Sequence, residues 1–304
     1  MYSHSKYLIV IVGPTAVGKT NLSIQLAQKL ATEILSADAR QFYYDMAIGT
    51  AQPSQEEMQN IPHHFLSFLP IQTCYTAGTF AEEALERLDK LFLKKEVVLL
   101  TGGSGLYIQA LCEGLAPFPS IDTSFRILLN RLLQEKGLPY LTQILAEKDP
   151  SYHRIVDLHN PKRVIRALEV CLGTGLPYST LRTPPQQERP FKMIKIGLTQ
   201  EKNLLHQRID SRVDAMMKQG LLQEVEKLYP YKEINALQTI GYKELFNYMD
   251  QVYTLPEAIQ HIKINTKRYA KKQMTWFKKD KDIIWFTPND LDSIMHYINQ
   301  RIQL

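Results

Sequence analysis

Gly13-Pro14-Thr15-Ala16-Val17-Gly18-Lys19-Thr20 fits the pattern G-x-x-x-x-G-K-[ST], and its surroundings decide the fold. An apolar run over residues 7–12 precedes it as a buried strand would, and a helical pattern over residues 22–30 begins behind it. Strand, glycine loop and helix in that order make a phosphate-binding loop. Its glycines let consecutive backbone N–H groups converge on phosphate oxygens, and the helix N-terminus adds positive potential. Lys19 neutralises charge, and the Thr20 hydroxyl can ligate Mg²⁺. The motif specifies a polyphosphate and leaves the reaction open.

Outward from the loop, strand and helix alternate. Residues 33–36 form a brief strand, residues 80–93 carry apolar side chains at helical spacing, and residues 97–100 are again strand-like. This βαβ order implies a parallel sheet. Two proline-bearing stretches, residues 113–120 and 182–190, then mark places where regular elements cannot continue. Between them residues 124–136, 140–148 and 161–172 read as helices, the last opened by Asn160 as N-cap and Pro161 at the first helical position. Beyond the second stretch come a strand at residues 193–198, long helical patterns and a late strand at residues 283–286. The expected architecture is α/β: a P-loop NTPase-like parallel-sheet core made of residues 1–115 and 190–304, interrupted by a mainly helical insertion, residues 116–189.

Composition agrees with a globular chain. Its 304 residues are 44% hydrophobic and carry 36 Lys+Arg against 31 Asp+Glu, a net of +5, which excludes collagen, coiled coil and wholesale disorder. No apolar run approaches the roughly 18 residues of a membrane span, and residues 7–12 are too few for a signal peptide. The expectation is a cytoplasmic protein with no membrane partner, read as a monomer. Cys74, Cys112 and Cys171 stand far apart, so neither a disulfide framework nor a zinc site is indicated. Charge is uneven: residues 1–115 sum to −3, residues 116–189 to +3 and residues 190–304 to +5.

The third strand leads into Thr101-Gly102-Gly103-Ser104, where an NTP-hydrolysing P-loop protein would often carry a metal-holding Asp. That acid is missing. Asp38 instead follows the second strand, at the sheet edge where open α/β proteins place ligand-contacting residues, and a carboxylate there can act as a base towards an acceptor. The competing roles are an Asx turn for Asp38 and a loop hydroxyl for Ser104.

Several stretches together resemble the tRNA dimethylallyltransferase family, whose members prenylate adenosine 37 beside the anticodon. They are the phosphate loop, Ser36-Ala37-Asp38-Ala39-Arg40-Gln41, Ile48-Gly49-Thr50-Ala51-Gln52-Pro53, Pro62-His63-His64, Gly102-Gly103-Ser104-Gly105-Leu106-Tyr107, residues 163–170 and Ile240-Gly241-Tyr242-Lys243-Glu244. The resemblance covers about residues 8–280. It departs from the family's Asp-Ser-Arg at Ala39, and from Gly-Gly-Thr at Ser104, which keeps the hydroxyl.

The resemblance implies that Gly13 to Thr20 binds the diphosphate of dimethylallyl diphosphate, with Mg²⁺ on Thr20 as cofactor, although the same loop satisfies a general ATP-binding pattern. It implies Asp38 as the base for adenine N6, Lys19 as a stabiliser of the departing diphosphate and Ser104 as an orienting hydroxyl. It also implies that the anticodon stem-loop of tRNA meets Asp38, Ala39, Arg40, Gln41 and Ser104, and that Arg126, Lys162, Arg163 and Arg166 of the insertion contact tRNA. Residues 263–281 hold eight basic side chains and one acid, Asp280. Lys263, Lys267 and Lys271 fall four apart on one helix face, while Ile259, Ile262, Tyr269 and Phe277 suggest the buried side. Lys267 and Lys271 are therefore expected at tRNA phosphates, with a solvated helix face as the alternative.

For Arg126, Lys162, Arg163 and Arg166 the alternative is salt bridging within the helices, to Asp157 or Glu169. Arg208, Asp210, Arg212 and Asp214 read mainly as surface pairing, although one arginine could reach the diphosphate. His63-His64 reads as loop hydrogen bonding rather than metal ligation. A small-molecule kinase, an adenylate prenyltransferase and a nucleotide-gated RNA-binding module are the rival functions. The basic later segments favour tRNA over a free nucleotide.

Overall fold

The computed structural model describes residues 6–116, 118–182 and 188–302. Pro117 and residues 183–187, which carry part of the proline punctuation, lie outside the described residues. By contacts the chain forms two compact units, Met1–Cys112 with Arg189–Leu304, and Glu113–Glu188.

The first unit runs β1 (Tyr7–Val12), α1 (Lys19–Lys29), β2 (Ile34–Ser36), α2 (Gln55–Met58), β3 (His63–His64), α3 (Ala77–Phe92), β4 (Val97–Gly102) and α4 (Gly105–Glu113). In the second unit are α5 (Thr123–Lys148), α6 (Pro150–His153), α7 (Pro161–Thr174) and α8 (Tyr178–Leu181). The chain then returns to the first unit through β5 (Lys192–Leu198), α9 (Lys202–Lys218), α10 (Leu221–Leu228), α11 (Tyr242–Met249), α12 (Leu255–Phe277), β6 (Ile284–Phe286) and α13 (Leu291–Arg301).

The six strands form one sheet in the order β3-β2-β4-β1-β5-β6, with every pair parallel. All six residues of β1 are buried, as a central parallel strand covered on both faces requires. Alternate residues feed two cores: Tyr7, Ile9 and Ile11 pack with α1 and α13, and Leu8, Val10 and Val12 pack with Phe80, Leu88 and Phe92 of α3. The order β2-β4-β1 matters for function, because it sets the loops after these three strands side by side at one edge. His63 and His64 lie on the short edge strand, where His64 Nε2 meets Glu33 at 2.7 Å and His63 Nδ1 meets the Ile61 carbonyl at 2.8 Å, so both are hydrogen-bonded. Among the described residues no helix is long and apolar enough to cross a membrane.

The second unit is helical throughout its regular elements. The stretches read as two helices, 124–136 and 140–148, join in α5 across a break at Gly137, whose φ of 78° and ψ of 173° leave the helical region just before Pro139. α7 starts as its sequence dictates, with the Asn160 side chain capping Arg163 N and Pro161 in the first turn. Lys162 and Arg163 are exposed. Arg126 and Arg166 take the salt-bridge alternative: Arg126 grips the buried Glu169 with two bonds of 2.7 Å, and Arg166 adds a third at 3.1 Å. Burial pushes the Glu169 carboxyl up, but the arginine bonds outweigh it and hold the group below its usual range.

A carboxyl lowered in the folded state stabilises above its unfolded pKa and loses that effect as pH falls through the folded value. Glu169→Gln is expected to cost about 1–3 kcal/mol in urea melts at neutral pH, because it leaves charged donors without an anion. The gap between variant and wild type should close on acidification below the usual glutamate range.

Candidate active site

The phosphate loop leaves β1 with backbone angles that few side chains tolerate. Gly13 has φ 150° and Gly18 φ 112°, and a Cβ on Gly13 would lie 2.7 Å from the Leu198 carbonyl of β5. α1 begins at Lys19 with no side-chain cap, so its first amides point out of the loop unclaimed by a capping group. Lys19 Nζ folds back onto the Gly13 and Pro14 carbonyls at 2.9 and 2.8 Å. Thr20 is exposed in the first turn.

The loops after β2 and β4 close against this one. Asp38 Oδ1 accepts from Arg40 N at 3.0 Å, which is the Asx-turn bond, yet the residue also borders the cavity beside the phosphate loop. The two roles coexist. Ser104 Oγ accepts from Ala39 N at 2.9 Å and thereby ties the β4 loop to the β2 loop. Gln273 of α12, 6% exposed, joins the β4 loop to the phosphate loop: its Oε1 accepts from Thr15 N at 2.8 Å and its Nε2 donates to the Gly103 carbonyl at 2.9 Å. A Cβ on Gly103 would lie 2.3 Å from that Nε2, so a side chain there would push the amide off this bond.

A further loop, residues 48–53, is held from far along the chain. Glu224 of α10 accepts from Ile48 N at 2.8 Å, Gly49 N at 2.9 Å and the Tyr242 hydroxyl at 2.6 Å. Tyr242 is fully buried, and its ring would meet a Cβ on Gly49 at 2.5 Å. The Gln41 side chain donates to the Thr50 and Ala51 carbonyls. The Ile48-Gly49-Thr50 and Ile240-Gly241-Tyr242 motifs thus meet through Glu224, a residue the sequence reading did not single out.

The charged helix α9 corrects another expectation. Residues two apart on a helix point to opposite sides, so Arg208, Asp210, Arg212 and Asp214 do not pair along their own surface. Asp210 and Asp214 turn to α12 and bind Lys267 at 2.7 Å and Lys263 at 2.6 Å. Arg208 and Arg212 turn to the phosphate loop, where Arg208 Nη1 reaches the Val17 carbonyl at 3.3 Å and Arg212 Nη1 reaches Thr15 Oγ1 at 3.5 Å. Lys267, expected at tRNA, is engaged with α9, whereas Lys271 is exposed. α12 ends at Phe277, so Lys279 and Lys281 follow the helix. Tyr269, expected on the buried side, is 39% exposed and lines the site.

Two cavities share a wall at this edge. One, of about 1010 Å³, is bordered by Lys19, Thr20, Gly103, Arg208 and Arg212. The other, of about 680 Å³, adds apolar side chains from Ile209, Val213, Leu221 and Ile262. Thr15, Asp38, Thr50, Ala51, Arg212, Met216 and Tyr269 border both.

Residues 41–280 match the sequence profile of the family described as IPP transferase. The chain belongs to that family. It is 48% identical to tRNA dimethylallyltransferase 1 of Phocaeicola vulgatus over 96% of this chain and 97% of the relative, and 47% identical to tRNA dimethylallyltransferase of Christiangramia forsetii over 98% and 99%. Among solved structures, the full-length tRNA isopentenylpyrophosphate transferase of Bacillus halodurans superposes with a TM-score of 0.72 at 34% identity, covering 97% of this chain and 96% of the other. A eukaryotic dimethylallyltransferase described as acting on tRNA gives 0.77 at 28% identity, over 98% and 77%. The parallel-sheet α/β fold read from the sequence is the fold of these transferases.

In this IPP transferase the described residues contain no cluster of three or more His, Cys, Asp or Glu side chains suited to a metal. An oxygen-only site built from Thr20 and substrate phosphates still suits Mg²⁺, which keeps several waters and leans on phosphate oxygens. The ammonium of Lys19 is lowered to about 7, first by burial and then by the Arg212 guanidinium, against a smaller opposing effect of Asp38. A diphosphate bound beside it would restore the charged form. Binding of dimethylallyl diphosphate at pH 8 should therefore take up a proton, read by calorimetry in buffers of different ionisation enthalpy. Lys19→Arg, which stays charged, should abolish that uptake.

Proposed function

We propose that the protein transfers the dimethylallyl group of dimethylallyl diphosphate to N6 of adenosine 37 in the anticodon loop of tRNA, releasing diphosphate. The observation that carries the reading is the shared wall, where Asp38, Thr15 and Arg212 border both the cavity bordered by Lys19, Arg208 and the phosphate loop and a second cavity that Ile209, Val213, Leu221 and Ile262 line in part. A prenyl diphosphate needs that pairing of a polar and an apolar compartment, and a nucleophile must reach the carbon between them. The strand before Thr101-Gly102-Gly103-Ser104 lacks the metal-holding acid that an NTP-hydrolysing loop protein often carries, so the prenyl donor is read as the working ligand of the loop.

Adenine N6 is a weak nucleophile because its lone pair is delocalised into the ring, so departure of diphosphate must be assisted. The N6–C1 bond forms as the C1–O bond breaks, and one N6 proton leaves. Lys19, the loop amides, Arg208 and Arg212 would stabilise charge on the leaving oxygens, a kind of interaction worth several kcal/mol elsewhere. Mg²⁺, held by Thr20 and the diphosphate, would supply further charge neutralisation. Asp38 would accept the N6 proton, and its turn bond to Arg40 N fixes the carboxylate while it does so. Ser104, tied to Ala39 N and lying against the Tyr269 hydroxyl, would orient the base.

A base must leave its stack to react, and an unpaired anticodon loop makes that inexpensive. Exposed Lys162 and Arg163 in the helical unit, and Lys271 in the core unit, supply positive charge for phosphates. One chain carries both cavities and every residue invoked, which supports a monomer as the working form. A cytoplasmic setting follows from the tRNA substrate.

Incubation of unmodified tRNA with the protein, Mg²⁺ and dimethylallyl diphosphate should add one dimethylallyl group at adenosine 37 by mass spectrometry. Prenylated AMP in its place would move the assignment to a free-nucleotide enzyme. Asp38→Ala should lower transfer by about 10²–10⁴-fold, with tRNA affinity unchanged within a few-fold. Arg212→Ala should raise KM for dimethylallyl diphosphate and lower kcat, a split that separates it from Asp38.

A further inference from the structure

With Lys263 and Lys267 turned to α9, a different face of α12 is open to solvent. At about 100° per residue its exposed arc holds Arg268, Tyr269, Lys271, Lys272, Thr275 and Trp276, with three cations and no acid. Tyr269 and Trp276 stand two turns apart on the edge of this arc nearest the catalytic loop. The indole lies against the start of α4: a Cβ on Gly105, the residue after Ser104, would be 2.3 Å from Trp276 Nε1. Trp276 is nevertheless 40% exposed, and Leu106, beside Gly105, is 48% exposed. A large aromatic and an aliphatic side chain are thus left in water next to the reaction site, bordered by positive charge.

We propose that Trp276, supported by Leu106, is the stacking platform for the unpaired base adjoining the reacting adenosine. Arg268, Lys271 and Lys272 hold the phosphates on either side of that base. The inference rests on tRNA as the acceptor. Its physical basis is what base extrusion leaves behind, because moving one adenosine into a cavity strips its neighbour of a stacking partner and exposes an apolar base face. An indole beside the cavity mouth restores that contact without reading sequence, since every base has a π-face. The cations complement a nucleic-acid backbone, and Arg268 is bonded to the neutral Asn265 side chain with no carboxylate partner among the described residues. This face replaces Lys267 as the nucleic-acid side of α12.

The protein has two tryptophans, so Trp285→Phe isolates Trp276 as the reporter. Titration with an unmodified anticodon stem-loop should quench its emission saturably. A stem-loop carrying 2-aminopurine beside adenosine 37 should lose 2-aminopurine fluorescence on the wild-type protein. Trp276→Ala should weaken stem-loop affinity about tenfold, and Trp276→Phe should restore it to within about threefold. The KM for dimethylallyl diphosphate should not move, whereas disruption of the loop itself would shift it. Saturable binding without quenching of either fluorophore, or wild-type affinity in Trp276→Ala, overturns the platform. A wild-type protein that does not bind the stem-loop overturns the acceptor assignment, and the platform with it.

Discussion

The two ends of the Gln273 amide hold the site together. One end receives the Thr15 N–H of the phosphate loop and the other donates to the Gly103 carbonyl of the β4 loop, so the spacing between the two loops is fixed by one buried side chain. That geometry exists because Gly103 has no Cβ, and because α12 is pinned lengthwise to α9 by the Lys263–Asp214 and Lys267–Asp210 pairs. α9 in turn carries Arg208 and Arg212 to the loop on its opposite side. A change in the α9–α12 contact therefore moves the loop strut and the two guanidinium groups together. Donors aimed before the ligand arrives do not have to be reorganised during the reaction, which is where preorganised electrostatics gains its effect.

What could be read from the sequence follows the range of the physics involved. The strand at residues 7–12, the glycine loop and the helix behind it are local signals, and each appears in the structure within a few residues of its expected bounds. Asp38 was legible because the end of a parallel strand is a position with a meaning. Glu224 was not, since it acts on Ile48 and Gly49 about 175 residues away, and nothing in its own helix differs from an ordinary surface glutamate. The orientation of Arg212 was within reach, because two-residue spacing on a helix forbids the pairing that its alternating signs suggested. Tyr269 was misplaced because it borders the buried arc of α12: Ala270 and Gln273 near it are buried, whereas its own ring, with the hydroxyl against Ser104 and Gln273, stays 39% exposed.

The departure at Ala39 has a structural answer. Ser104 engages the backbone N–H of residue 39, not its side chain, so the β2–β4 loop contact survives whichever small residue stands there. The hydroxyl at position 104 is the half of the contact that the side chain must supply, and serine retains it.

The charge balance of the site constrains its cycle as well as its chemistry. Lys19, Arg208 and Arg212 converge on the cavity edge; burial holds both Lys19 and Arg212 below their usual ionisation, with Arg212 adding to the effect on Lys19 and Arg208 to that on Arg212. An anionic diphosphate relieves that repulsion on binding, so part of its affinity comes from unfavourable contacts in the free enzyme rather than from new bonds. The same relief opposes departure of product diphosphate, which carries at least as much negative charge as the substrate diphosphate. Asp38 works against this. In the proposed reaction, acceptance of the N6 proton would remove its negative charge and leave the cations less balanced, whereas loss of that proton to water would restore a carboxylate near Lys19 and favour release. The carboxylate proposed as the base would thus also help product to leave.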